Sequence, residues 1–230
     1  MKIGEIVQRI QSLYSKGVQS DDSRLSSRHI YNKIVTLRTK LLSQKAKSKQ
    51  KISDWNYQTI SCIEMIDIPI HDCPCAPYAD CVTVKRSRYP IPRVMHDYNG
   101  NLIDYVMTID GGDKFDYSNR RELLHVGGNK YTASRRRYII DKGYIYAYGV
   151  DVPKILQMRA LFEDPIEAIN FISYCPSEFA DNCIDIFEME FPIDNDTIDT
   201  LIQLSVEELI SVFKQNIEDI SNDTKDIPVR

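Results

Sequence analysis

Cysteine and histidine are the first residues of this chain to consider as ligands of a metal ion. Thiolate and imidazole groups are the usual ligands of zinc, and five cysteines with one histidine form two clusters in the sequence. The group comprises His71, Cys73, Cys75, Cys81, Cys175 and Cys183. Their spacing differs from the short knuckles of structural zinc sites, which favours reduced thiols near loop ends over a zinc site. Disulfides are weighted lower still, because the N-terminus shows no export signal. We predict no metal ligands.

A second candidate site is the basic segment from Arg24 to Lys51, which holds nine Lys or Arg residues. Such a segment can bind the phosphates of nucleic acid, can be a solvated helix face, or can dock on an acidic protein surface. A helix-turn-helix is disfavoured, because about a dozen residues join the first two predicted helices against the usual three or four.

Other clusters carry weaker signals. Arg135-Arg136-Arg137 could contact phosphate, although a loop cluster of this kind is more often solvated. Five of the 14 tyrosines lie between Tyr131 and Tyr148, where alternation favours sheet packing over base stacking. Asp194 and Asp196 begin a calcium-loop pattern, but the required Gly and terminal Glu do not follow.

Catalytic signatures are absent from the sequence, which contains no phosphate-binding loop, dinucleotide fingerprint, HExxH or GxSxG motif. The four histidines have no obvious catalytic partners. They are His29, His71, His96 and His125. We predict no catalytic and no cofactor-binding residues, and therefore a non-enzymatic protein without cofactors.

Helical periodicity dominates both ends of the chain. Apolar residues recur at helical spacing from Ile3 to Tyr14, which predicts a first helix. A second helix is predicted over about 28–47, where the apolar stripe is narrow, and Ser26 or Ser27 can cap this helix. The second stripe consists of Ile30, Ile34, Leu37 and Leu41. Asp164-Pro165 begins a short helix, and a long helix follows Asp194, with a capping pair at Ser205 and Glu208 that could restart or kink it.

The middle of the chain has strand periodicity. Strands are predicted within 56–70, 82–84, 102–109 and 154–161, and a hairpin is predicted over 138–148 with its turn at Asp141-Lys142-Gly143. These segments form a compact β module of about five to seven strands.

The predicted fold class is therefore α+β. The N- and C-terminal helices form an antiparallel-type bundle, a small β module is inserted at one end, and an extended tail follows. The predicted parts are 1–53 (helical), 54–162 (β module), 163–220 (helical) and 221–230 (tail). No apolar run approaches the ~18 residues that a membrane span needs.

The net charge of −4 hides a strong asymmetry. Residues 1–53 hold 12 basic and 3 acidic residues, residues 54–150 hold 12 of each, and residues 151–230 hold 5 basic and 18 acidic residues. The chain is thus basic at one end, neutral in the middle and acidic at the other end, so the basic end could dock on an acidic surface, including the acidic C-terminal half of another copy.

Several stretches resemble virion structural proteins of crAss-like bacteriophages, and the resemblance covers nearly the whole chain. They are LYSKGVQSDDSRLSSRHIYNKI (13–34), DWNYQTI (54–60), GGNKYTA (127–133), ALFEDPIEAINF (160–171) and FPIDNDTIDTLIQLSVEELI (191–210). More distantly, helices that flank a β insert resemble the head-to-tail adaptors, or tail tubular proteins, of short-tailed phages.

The resemblance implies a dodecameric ring that joins the portal to the tail and lines the DNA channel. It also implies contacts with the portal, with neighbouring tail rings and with packaged DNA, without sequence recognition and without a membrane. The implied location is the tail of the virion, after assembly in the host cytoplasm, and residues 221–230 would be a docking arm toward the portal. The alternative function is nucleic-acid binding through the basic helix around 28–51.

A ring built by rotation presents two different faces of each subunit to its neighbours. We hypothesise that one face is basic and the other acidic. The basic candidates are Arg28, Lys33, Arg38 and Lys40, and the acidic candidates are Glu207, Glu208 and Glu218.

Overall fold

A computed structural model describes most of the chain. The described residues are 1–17, 25–69, 84–97, 100–119, 122, 135–149, 151–171, 175 and 185–222, with side chains of the last helix described as far as 212. The chain forms two compact units. Met1–Trp55 with Cys183–Arg230 form the first, and Asn56–Asn182 form the second; we call them the helical unit and the barrel unit.

The predicted fold class is wrong. In place of a helical bundle with a small β module, the described residues form mostly a closed seven-stranded β-barrel, together with four helices. Gln58 pairs with Ala160 in the ladder that closes the barrel. Local periodicity carries no information about a pairing between strands so far apart in sequence, so the sequence pattern indicates strands but not their closure.

The described strands, in chain order, are β1 (Gln58–Asp67), β2 (Val84–Ser87), β3 (His96–Asp97), β4 (Gly100–Asn101), β5 (Ile103–Thr108), β6 (Lys114–Tyr117), β7 (Arg137–Asp141), β8 (Tyr144–Tyr148) and β9 (Ile155–Ala160). The order around the barrel is β1, β2, β8, β7, β6, β5, β9, while β3 and β4 form a separate two-stranded sheet. Described neighbours in the barrel are antiparallel, apart from the parallel pair of β6 and β7.

The β7–β8 hairpin follows the prediction. Its strands pair from Arg137 with Tyr148 to Asp141 with Tyr144. Lys142 and Gly143 form the turn with φ angles of 49° and 80°. Positive φ at both central residues is what a two-residue type I′ turn requires, and this turn matches the twist of the flanking strands.

Apolar side chains fill the barrel interior, as expected for a barrel of this strand number. The buried residues that the strands contribute are Ile60, Ile63, Met65, Val106, Phe115, Tyr138, Ile145, Ala147, Leu156, Met158 and Ala160. Alternation puts every second side chain of a strand inside, so this core positions the polar and charged side chains of the same strands outside.

The described helices are α1 (Ile3–Tyr14), α2 (Ser27–Lys47), α3 (Pro165–Ile169) and α4 (Asn195–Asn222), with 3₁₀ turns at Asp54–Asn56 and Ile186–Glu188. Of these helices, α1, α2 and α4 contact one another in the helical unit, and α3 belongs to the barrel unit. The predicted caps are confirmed: Ser26 accepts a hydrogen bond from the His29 N–H at 3.2 Å, and Asp164 accepts one from the Ile166 N–H at 2.9 Å.

Apolar stripes hold the helical unit together, with two departures from the predicted pattern. On α2 the stripe includes Leu42, which is fully buried, whereas Leu41 is only half-buried. On α1 the stripe ends at Ile10, because Leu13 is 51% exposed. Ser205 donates to the Leu201 carbonyl at 2.7 Å within the continuous α4, so it does not restart the helix.

Candidate functional site

The surfaces of α2 and α4 carry the charge asymmetry of the sequence. Two ion pairs show that the two helices run antiparallel. Near the C-terminal end of α2, Lys45 lies 3.1 Å from the carboxylate of Asp194, which just precedes α4. Nearer the N-terminal end of α2, Lys33 pairs with Glu208, further along α4. The basic and acidic ends of the chain therefore neutralise each other in part within one molecule.

The same complementarity recurs on α1. The guanidinium of Arg9 lies 3.1 Å from the Asp199 carboxylate, and the Lys2 ammonium lies 2.6 Å from the Glu188 carboxylate. The hydrogen bond and charge of Glu188 raise the pKa of Lys2. These pairs are exposed, so each contributes little to stability on its own.

Asp194 has a structural role that its calcium-like spacing did not indicate. Its carboxylate accepts the Thr197 N–H at 2.9 Å, which makes it the N-terminal cap of α4. It is also mostly buried, at 14% side-chain exposure, beside the 26% exposed Lys45. The cap and the ion pair with Lys45 therefore give the Asp194 carboxylate a structural role.

Arg38 is fully buried, which contradicts its predicted place on a face toward another protein. Its Nε donates to the Pro192 carbonyl at 2.9 Å, and its guanidinium lies 5.8 Å from the centroid of the Phe191 ring. The reason is helical phase: Arg38 follows Ile34 by four residues and so falls on the buried stripe. This spacing can be read from the sequence, and it is the signal that would have predicted the burial of Arg38.

The cations that remain exposed on α2 lie in one stripe. The exposed positions, three or four residues apart, are Arg28, Asn32, Thr36, Lys40, Gln44 and Lys47. We call this set the basic stripe. It has three positive charges and no acidic residue, and within the described residues Arg28, Lys40 and Lys47 have no ion pair.

The exposed face of α4 has the opposite sign. Its exposed positions, with similar spacing, are Asp196, Asp199, Thr200, Gln203, Glu207 and Ser211. We call this set the acidic stripe. It has three carboxylates and no cation, and among the described residues only Asp199 of the three has an ion pair, with Arg9.

The hypothesis of two charged faces therefore has a mixed outcome. Lys33 and Glu208 were assigned to contacts between proteins, but they pair with each other in one chain. Arg28, Lys40 and Glu207 stay exposed, and their partners remain predictions. The side chain of Glu218 lies outside the described residues.

The arginines before β7 contact their own barrel. Arg136 pairs with Asp113, and Arg137 donates to the Ser118 hydroxyl at 2.9 Å, whereas Arg135 is exposed. Two members of the cluster are thus occupied by structural contacts rather than directed at a phosphate.

The tyrosines of β7 and β8 pack against the sheet, as predicted. Tyr146 and Tyr148 are buried beside Val84, and the Tyr138 ring meets the Tyr117 ring edge-on with centroids 5.6 Å apart. Burial raises the pKa of Tyr138 well above its usual value. Buried rings of this kind are not available to stack on bases.

Cysteine chemistry differs from the prediction. Cys62 and Cys175 form a disulfide, with their Cα atoms 5.6 Å apart. Cys62 sits at a break in the β1–β9 register between Ile60 and Ile63, with a φ of 59°. The bulge puts the neighbouring Cys62 and Ile63 both in buried positions, where regular alternation would expose one of them.

The cysteines and histidine that were considered as zinc ligands lie largely outside the described part of the chain, which includes only Cys175 among them. In the described part, no group of three or more His, Cys, Asp or Glu side chains could hold a metal ion. Of the histidines, His29 and His96 are exposed, and His71 and His125 lie outside the described residues.

The first two residues of the predicted tail, 221–230, are helical. Ser221 and Asn222 belong to α4, and residues 223–230 lie outside the described residues. Among the described helices, none has the length and apolar character to span a membrane.

Comparison with known proteins gives a consistent result. Residues 5–227 match the family described as phage tail ring protein 2. The chain is also 30% identical over 223 residues to Ring protein 2 of Bacteroides phage crAss001, covering 92% of each protein. The predicted resemblance to crAss-like virion ring proteins is thereby confirmed. Because the match spans both compact units, the chain belongs to the phage tail ring protein 2 family of crAss-like phages, as a structural ring component of the virion tail.

Proposed function

We propose that the chain assembles into a dodecameric head-to-tail adaptor, which joins the portal to later tail rings and lines the channel through which DNA passes. The observation that carries this proposal is the family match over residues 5–227. A match of that length includes both units. We therefore assign the whole chain to the ring, and we assign no separate activity to either unit. The tail location and the ring are family properties; the portal contact, the copy number and the channel are the proposal.

The charges of the helical unit support a structural role over nucleic-acid binding. Lys33 and Lys45 are held in ion pairs and Arg38 is buried, so these three cations are not available for phosphates. Affinity for DNA falls with each lost phosphate contact, since counterion release scales with their number. The helix therefore offers fewer phosphate contacts than its sequence suggests, which favours the structural role over nucleic-acid binding.

We also propose that the role is structural rather than catalytic and that the ring assembles in the host cytoplasm. The support is the family itself, which consists of phage tail ring proteins. The disulfide between Cys62 and Cys175 is compatible with this if it closes after the particle leaves a reducing cell.

Electron microscopy of negatively stained protein tests the adaptor role. The purified full-length chain is imaged alone, with the phage portal, and with an unrelated ring of similar diameter as a control. We expect rings that stack coaxially on the portal and ignore the control ring. Rings that do not bind the portal would contradict the adaptor role, and monomers under every condition would contradict the ring.

Filter binding of the purified protein to duplex DNA tests the alternative function. Weak binding that disappears at physiological salt is expected for a channel. Tight binding with a steep salt dependence would favour the nucleic-acid-binding alternative instead.

The C-terminal arm is a separate proposal. By the adaptor analogy, the docking arm predicted at 221–230 reaches toward the portal, and the test removes residues 223–230, which follow α4 in the sequence. A chain that ends at Asn222 should still form rings but should lose portal stacking in the same images. Undiminished stacking of this shortened chain would rule out the arm.

A further inference from the structure

We infer that the basic stripe of α2 binds the acidic stripe of α4 of the adjacent copy around the ring. This inference rests on the ring assembly that the proposed function includes, and it adds the surface that closes the ring. The partner is a second copy of this chain, and the contact is between two helices with opposite charge.

The first support is charge. Arg28, Lys40 and Lys47 give the basic stripe three positive charges without an acid. The acidic stripe has three carboxylates, of which Asp199 pairs with Arg9 of α1, while Asp196 and Glu207 have no ion pair among the described residues. Like-charged surfaces of two copies repel, so basic stripes do not pair with each other, nor do acidic stripes. Opposite stripes attract, and only a contact between different faces joins them.

The second support is the position of the two stripes on their helices. On α2 the buried residues Ile30, Ile34 and Leu37 lie on the side opposite the basic stripe, and on α4 Leu201 and Leu209 lie opposite the acidic stripe. Because α2 and α4 pack through their buried sides, the two stripes point away from each other. Two different outward faces on one subunit are what a heterologous ring contact requires.

The third support is that residues of α2 already form ion pairs with residues in or next to α4 of the same chain. Lys33 with Glu208 and Lys45 with Asp194 join α2 to α4 along their flanks. The stripes offer the same chemistry, Lys or Arg against Asp or Glu, on faces that the single chain leaves exposed. Between the charges stand short neutral residues, such as Asn32 and Thr36, which allow a neighbouring helix to approach.

Charge-reversal variants test the inference. The basic-reversed variant carries Arg28→Glu and Lys40→Glu, and the acid-reversed variant carries Asp196→Lys and Glu207→Lys. All four side chains are exposed, and none has an ion pair among the described residues, so each variant should fold. A matched control, Lys49→Glu with Lys51→Glu, makes the same change of charge at exposed positions just beyond α2.

Oligomeric state is measured by native mass spectrometry and negative-stain images, with portal present when the wild-type chain needs it as a template. The control should form rings like the wild-type chain. Each reversed variant alone should stay monomeric, because its altered stripe repels the neighbour. An equimolar mixture should form rings again, with the two variants alternating in equal numbers.

Restoration by mixing is a readout that simple misfolding cannot produce. Thermal unfolding of each variant confirms its fold before mixing. Rings from the basic-reversed variant alone would overturn the inference, as would two folded variants whose mixture forms no rings. A basic-reversed variant that assembles normally but loses DNA binding would assign the stripe to nucleic acid instead.

The outcome is distinguishable from failure of the proposed function. Wild-type rings that ignore the portal contradict the adaptor role and leave the stripe contact intact. Reversed variants that assemble and stack on the portal contradict the stripe contact and leave the adaptor role intact.

Discussion

At the scale of single residues, position on a helix decides what a charge does. Arg28, Lys33 and Arg38 lie on one helix, yet the first is exposed, the second pairs with Glu208, and the third is buried against Pro192. A buried guanidinium must keep its hydrogen bonds, because an unpaired buried charge is costly. The three residues should therefore respond differently to the same substitution.

Substitution of Arg38 should lower the stability of the helical unit. Arg38→Ala removes the donor to the Pro192 carbonyl and leaves a cavity, so the free energy of unfolding should fall by about 2–4 kcal/mol. Arg28→Ala on the exposed face is the matched control and should change it by less than about 0.5 kcal/mol. Urea denaturation followed by circular dichroism measures both. Equal effects of the two substitutions would contradict the burial of Arg38.

The disulfide between Cys62 and Cys175 should stabilise the barrel unit. It links residues 113 positions apart, and the loss of such a link typically costs about 2–5 kcal/mol. Reductant should lower the thermal unfolding midpoint of the wild-type protein, while a variant with Cys62→Ser and Cys175→Ser should unfold at the lower temperature with or without reductant. If reductant left the wild-type midpoint unchanged, the disulfide would not be a stabilising link.

At the scale of elements, two hairpins show how turn chemistry fixes strand register. Gly143 in the β7–β8 turn has a φ of 80°, a region that other residues enter only at a cost. In the β5–β6 hairpin, the Gly112 N–H donates to the Asp110 carboxylate at 3.3 Å, which closes the tip. Both turns therefore contain a glycine with positive φ, because Gly111 at the β5–β6 tip has a φ of 74°, and the Asp110 hydrogen bond is an additional contact in that turn.

Gly143→Ala should destabilise the protein by about 1–2 kcal/mol, the cost of left-handed backbone for a residue with a Cβ atom. Space is not the cause, since the nearest heavy atom to the new Cβ would be 3.9 Å away, on Pro90. Gly112→Ala is the control, because that glycine does not have positive φ and should tolerate alanine. Chemical denaturation compares the two variants, and a harmless Gly143→Ala would exclude the type I′ turn.

The β5–β6 tip should be sensitive to acid. The Thr108 hydroxyl and then the Gly112 N–H donate to Asp110 and hold the pKa of its carboxyl below the usual value. A lowered pKa contributes stability above the pKa of the unfolded chain, and this contribution is lost as pH falls through the pKa of the folded state. An NMR titration of the side-chain carboxyl carbons should show Asp110 titrating at lower pH than exposed aspartates. An ordinary titration of Asp110 would contradict these hydrogen bonds.

At the scale of the whole molecule, the two units are built differently along the chain. The barrel unit is continuous, from Asn56 to Asn182, and contains all seven barrel strands. The helical unit combines both chain ends, so α1 and α2 cover their apolar stripes only with α4 from the C-terminal end. Continuity in sequence predicts which unit can fold by itself.

A fragment of residues 56–182 should fold alone, because its core and its disulfide lie within it. A fragment of residues 1–182 should expose the stripe around Ile34 and Leu37, which α4 otherwise covers, and should aggregate. Near-ultraviolet circular dichroism, thermal unfolding and light scattering compare the two fragments. An unfolded 56–182 fragment, or a monodisperse 1–182 fragment, would contradict this division.

The sequence by itself determined the local features of this protein. Helical spacing indicated α1 and α2, the Asp164-Pro165 pair indicated the start of α3, and the turn at Lys142 and Gly143 indicated the β7–β8 hairpin. These features depend on neighbouring residues, so the pattern along the chain is enough to find them. The sequence also determined family membership, because the family match covers residues 5–227 and the relative is 30% identical over 223 residues.

Only the tertiary structure decided what depends on residues far apart in sequence. Closure of the barrel between Gln58 and Ala160, the bond between Cys62 and Cys175, and the pairing of Lys33 with Glu208 all join distant segments. A charge run shows how many cations a helix carries, but not which of them a distant helix covers or neutralises. That selection, made by packing, leaves the basic stripe exposed on α2 and the acidic stripe exposed on α4.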